Sequence, residues 1–224
     1  MERDKQFRKN FIWNIIGTGF NAFNSLFFMI IVTRINGVDN AGIYTIAYST
    51  ACILYMIGIY AGRIYQVTEN NKNITNKDYI LNRVISCGAI FFISIFFVMI
   101  RGYDLYKSSI FIILALYKAL EAFSDVLYGI FQKNDYLDKA GKSCFIKAVI
   151  SVIIFAIVDI ITKNLVLACS SIVIIYVVVI IFYDSIQTKK FINNKETVNI
   201  KNSLSIFKGR IFSICCIIFR SIYN

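Results

Sequence analysis

Lys118, Glu121 and Asp125 stand at i, i+3 and i+7 inside an apolar run, Ser109–Gln132. If that run is a helix, the three charges share one face. Lys118 then lies roughly 14 Å from the end of the run, near the centre of a ~30 Å hydrocarbon layer. A charge at that depth costs at least ~2.5 kcal/mol, so pairing or water must offset it. Two readings fit the pattern. Lys118 and Glu121 form an ion pair that packs a bundle, or the face borders a water-filled path. On the second reading Lys118 meets an anionic ligand, and Glu121 or Asp125 pairs with it or exchanges protons.

Other polar residues sit where lipid would not favour them. Asn14, Thr18, Asn21 and Ser25 recur every three or four residues, with Gly17 and Asn24 beside them. That stripe suits helix–helix packing or the wall of a hydrated cavity. Tyr44, Tyr48 and Tyr55 make a second stripe, read first as packing or an interfacial belt and second as a stacking surface for sugar rings. Arg34 and Arg63 lie at opposite ends of the first two apolar runs, where each can snorkel or grip a phosphate with its guanidinium fork.

What the chain lacks narrows its chemistry. With no histidine among 224 residues, Ser-His-Asp and Cys-His catalytic sets and HExxH zinc sites are excluded. No enzyme activity, cofactor or metal is expected. The six cysteines lie in or beside apolar runs without a CxxC pair and read as small apolar residues rather than disulfides.

The elements that position these residues follow from hydropathy. The chain is 58% hydrophobic with a mean hydropathy of +0.65, above the roughly 45–50% of soluble domains. Six runs are long enough to cross a bilayer as helices: Phe11–Thr33, Ala41–Gly62, Ile80–Ile100, Ser109–Gln132, Ser143–Ile161 and Leu165–Asp184. Lysine and arginine alternate in density between the connections. Eighteen, including Arg83 and Lys147, fall in or around the tails and even-numbered connections, whereas only Arg34, Arg101, Lys107 and Lys163 mark the others. The positive-inside rule therefore predicts a cytoplasmic N-terminus in a multi-pass protein of the cell membrane. It also accounts for most of the +11 net charge without nucleic acid. Residues 1–184 are expected to form one all-α transmembrane unit. Residues 185–224 are expected to be a cytoplasmic loop and a short stub, because Ile211–Phe219 is too short to span.

Trp13-Asn14 with Gly17, Val32-Thr33-Arg34, Gly37 with Ala41-Gly42-Ile43-Tyr44, and Tyr60 to Glu69 occur in an order tied to these runs. Glu121, Asp125, Tyr128-Gly129, Gln132, Asp138 and Gly141-Lys142-Ser143 continue it. Over roughly residues 1–185 the chain resembles the N-terminal half of bacterial polysaccharide and O-antigen flippases, in the multidrug/oligosaccharidyl-lipid/polysaccharide exporter superfamily. The resemblance implies one six-helix lobe of a MATE-like transporter that moves undecaprenyl-pyrophosphate-linked oligosaccharide across the membrane. It also implies membrane lipid, a second lobe or polysaccharide-assembly proteins as partners. Carried onto this chain, Asn14, Asn21, Arg34, Arg63, Arg83 and Lys118 become substrate-cavity candidates, and Glu121 and Asp125 coupling or ion-pair candidates. Members carry two lobes and this chain has one, so the expectation is a truncated form or a lobe that pairs with another. The alternatives are a cation-coupled small-molecule exporter of the same superfamily and an inactive fragment.

Overall fold

A computed structural model describes residues 2–60, 62–69, 74–192, 200, 202, 203 and 206. The run Ile211–Phe219 and most of the expected 185–224 segment lie outside them. All regular structure among the described residues is helical. The order is α1 (Glu2–Ile59), α2 (Gly62–Thr68), α3 (Asn76–Arg101), α4 (Leu105–Lys133), α5 (Leu137–Thr162) and α6 (Leu165–Val179). A π-helical turn, Ile180–Ser185, then leads into α7 (Ile186–Lys189).

Four stretches are long and apolar enough to cross a membrane: Arg3–Thr68, α3, α5 and Leu165–Lys189. They differ from the six expected spans in two places. α4 is long enough at 29 residues, but Lys118, Glu121 and Asp125 interrupt its apolar run. The first two expected spans are joined without a loop, as the arms of one bent helix. Gly37, at φ 84° and ψ 174°, makes that bend in a region essentially reserved for glycine.

The two arms lie side by side. Phe28 and Tyr44 are sixteen residues apart, which would separate them by ~24 Å in a straight helix. Both nevertheless place their rings against Phe155 of α5, at centroid distances of 4.9 and 6.4 Å.

Local sequence explains the other helix ends. Thr75 and Asp78 form a capping box at the start of α3, and Gly102 ends that helix in the left-handed conformation. The Asn164 side chain accepts from Val166 N and Leu167 N to open α6. The first arm of α1 crosses α5 where Gly17 meets Gly141. A Cβ on Gly17 would collide with the Gly141 carbonyl, and one on Gly141 with the Trp13 carbonyl. Small residues thus permit backbone contact between helices, as expected where lipid supplies no hydrophobic drive.

One end of the bundle is dry. Phe28, Val32, Tyr44, Phe111, Leu114, Phe155, Leu165 and Ile172 belong to a single buried apolar cluster. The other end, around the second half of α4, is charged.

Candidate functional site

Along α4 the buried face changes character within one turn. Ile110, Phe111 and Leu114 enter the apolar cluster, whereas Glu121, Ser124 and Asp125 line a cavity of about 150 Å3 and Lys118 pairs with Glu121 behind that lining. Thr18 and Asn21 of the first α1 arm and Tyr55 of the second also line it. Arg63 of α2, Tyr128 of α4, Lys147 of α5 and Tyr176 of α6 close it.

Three ion-paired groups surround this space. In the first, Lys118 Nζ lies 2.7 Å from Glu121 Oε2, and Asn21 Nδ2 donates to Glu121 Oε1 at 3.1 Å. The ring centroids of Tyr48, Tyr55 and Tyr117 stand 4.9, 5.4 and 4.9 Å from the same ammonium. Aromatic faces and one carboxylate therefore replace the water that Lys118 gives up.

In the second group Asp125 is shared. Arg83 Nη2 donates to its Oδ2 at 3.1 Å, and Arg63 Nη1 lies 3.8 Å from Oδ1. Arg83 is buried and also donates to Gly58 O at 2.8 Å, in the last turn of α1 where carbonyls lack helical partners. Arg63 Nε donates to Gln132 Oε1 at 2.8 Å. At 28% exposure the Arg63 side chain is the most accessible of the four cations.

In the third group Lys147 Nζ lies 2.5 Å from Asp184 Oδ2. It also donates to Ser124 Oγ at 2.6 Å and to Tyr128 Oη at 3.2 Å.

Among the described residues four basic groups thus face three carboxylates, leaving one formal positive charge in excess. The arrangement offers guanidinium and ammonium donors to an anion, each checked by a carboxylate. No three His, Cys, Asp or Glu side chains converge as a metal site among the described residues.

The structure brings together Asn21, Arg63, Arg83, Lys118, Glu121 and Asp125 and leaves two candidates aside. Arg34 is exposed three residues before the Gly37 bend, thirteen residues from Asn21 and so ~20 Å along the helix. Asn14 sits at the α1–α5 crossing, where its backbone nitrogen backs onto Gly141. The first stripe therefore serves both expected roles, since Gly17 packs while Thr18 and Asn21 line the cavity. The tyrosine stripe is divided too. Tyr44 is buried in the apolar cluster, and Tyr48 and Tyr55 cage Lys118.

Arg83 and Lys147, counted in the sequence as charges around connections, are instead buried inside α3 and α5 at 2% and 1% exposure. Sequence reading also missed Asp184, which it used only as the end of the sixth span, and Ser124, and it named Tyr128 only within a motif, without a role. Lys147 gave a signal, because it falls four residues inside the expected fifth span. An acid closing the next span was its natural partner.

The chain is similar to the capsular polysaccharide biosynthesis protein CapF of Staphylococcus aureus, with 28% identity over 203 residues. The match covers 89% of this chain and 49% of CapF, so the chain spans about half the length of that curated relative. No family model and no solved structure matches. The similarity is a distant link to surface polysaccharide synthesis, and the apolar helices are compatible with a multi-pass membrane protein.

Proposed function

We propose that this chain is a six-crossing lobe of a flippase that carries lipid-linked oligosaccharide across the cell membrane for surface polysaccharide assembly. The observation that carries the reading is the charged cavity set among long apolar helices. A path for an anionic, sugar-bearing headgroup needs polar walls at membrane depth, and the buried pairs around Lys118, Asp125 and Lys147 supply them.

In this reading each arm of α1 crosses once, as do α3, α4, α5 and α6, and the N-terminus is cytoplasmic. The role is transport, with no covalent step. Arg63 receives the phosphate of the headgroup, being the most accessible cation and only loosely held by Asp125 at 3.8 Å. Asn21 and Glu121 also line the cavity, with Lys118 held by Glu121, and the lipid tail stays in the bilayer. The similarity to CapF supports the pathway; a second lobe and polysaccharide-assembly proteins are the partners the reading requires.

The test is deletion of the gene in its own host. The expected result is loss of surface polysaccharide with lipid-linked repeat units retained in the cell, restored by the intact gene. Normal surface polysaccharide, or a glycan with an altered linkage and no retained precursor, would overturn the reading.

A further inference from the structure

Resting on that transporter reading, we infer that Lys147 is a latent subsite for a phosphate or diphosphate group. Asp184 occupies it in the ligand-free state and takes up one proton when the ligand arrives. Four observations carry this. Lys147 lines the cavity although its side chain is almost wholly buried. Its three donors are all engaged, by Asp184 Oδ2, Ser124 Oγ and Tyr128 Oη, and two of those partners line the same cavity. Asp184 is fully buried, and its Oδ1 accepts no hydrogen bond among the described residues. Finally, Asp184 sits on the π-helical turn Ile180–Ser185, the kind of helix irregularity that clusters at functional sites.

A structural pair would be expected to satisfy both carboxylate oxygens, because an unpaired buried acceptor costs stability. Among the described residues one oxygen is satisfied through Lys147 alone, so that ammonium is the carboxylate's single counter-ion there.

The exchange follows from this. A phosphoryl oxygen entering the cavity takes the hydrogen bond of the Lys147 ammonium. Asp184 would then be a buried carboxylate without a counter-ion, and a buried carboxylate in that position protonates. The proton comes from water, by way of the cavity, and no other bond forms or breaks. Among the described residues, the other titratable groups facing the pair are Glu121 and Tyr128 of α4, Cys144 of α5, Tyr176 of α6 and the neighbouring Tyr183. None of these is a cation that could take the place of Lys147. The bound state holds one more proton than the free state, so affinity rises as pH falls.

The experiment uses the full chain in detergent and geranyl diphosphate as probe. Calorimetric titration in two buffers of different ionisation heat gives the protons taken up per ligand bound. The parent is expected to take up close to one proton more than Asp184→Asn, which binds at least as tightly because its lysine is free. The double variant Lys147→Met/Asp184→Asn buries no charge at this site and is expected to fold and bind about tenfold more weakly than Asp184→Asn. Equal proton uptake by parent and Asp184→Asn, or equal affinity in the single and double variants, overturns the inference and leaves the transporter reading to its own test in cells. Absence of any diphosphate binding overturns the inference as well. Surface polysaccharide lost on gene deletion would then preserve the transporter reading without this subsite.

Discussion

The two halves of α4 face the same bundle and solve opposite problems. Toward the Gly37 bend, Ile110, Phe111 and Leu114 meet Phe28, Phe155 and Leu165 in a dry cluster that needs only shape. Toward the other end, Lys118, Glu121 and Asp125 meet Asn21, Arg63 and Arg83, and every charge must find a partner. In lipid the first kind of contact gains little from hydrophobicity and depends on packing. The second kind is costly to bury and costlier to leave half-made. The dry end therefore holds the bundle's shape, whereas the charged end retains expensive groups that packing alone does not require.

Substitutions that separate the two ends should therefore differ in kind. The largest loss of stability is expected from Asp184→Ala, which strands Lys147 and costs about 3–5 kcal/mol. The thermal midpoint of the detergent-purified chain measures it, and a midpoint equal to the parent's would mean that the pair contributes nothing. Phe155→Ala at the dry end is expected to cost roughly 2 kcal/mol, the cavity share of the 3–5 kcal/mol seen in soluble cores. Its signature is lower stability with transport retained per folded molecule. A loss of transport without unfolding would break the division between the ends.

The sequence displayed these ends unequally. Hydropathy alone marked the apolar runs, and the i, i+3, i+7 spacing placed Lys118, Glu121 and Asp125 on one face, as α4 bears out. The joining of the first two runs was hidden, because Asn36-Gly37 followed by Asp39-Asn40 reads as an ordinary turn, whereas the chain only bends at Gly37, φ 84°, between two helical arms. Arg34 and Arg63 looked equivalent as arginines at run ends. Only the fold-back of α1 separates them, leaving Arg34 outside and bringing Arg63 to Asp125. Lys147 and Asp184 are 37 residues apart, and their contact depends on how α5 packs beside α6. Charge counting treated Lys147 as a marker of topology, although its place four residues inside the Ser143–Ile161 run already set it apart from the connection charges.

Asn21→Leu removes one hydrogen bond to Glu121 and is expected to cost about 0.6 kcal/mol, the average for interhelical bonds in a membrane. Transport should fall more than that stability loss explains, since Glu121 would then hold Lys118 in a less defined geometry. Equal proportional losses in both readouts would reduce Asn21 to packing.

The most direct test of the central claim measures which leaflet holds the lipid-linked oligosaccharide. In spheroplasts of the host, external periodate oxidises only sugars that have reached the outer leaflet. Cells with Arg63→Ala are predicted to keep their lipid-linked oligosaccharide protected, while cells with Phe111→Leu at the dry end expose it as the parent does. Equal exposure in all three, at equal protein levels, would contradict the assignment of the charged cavity to translocation.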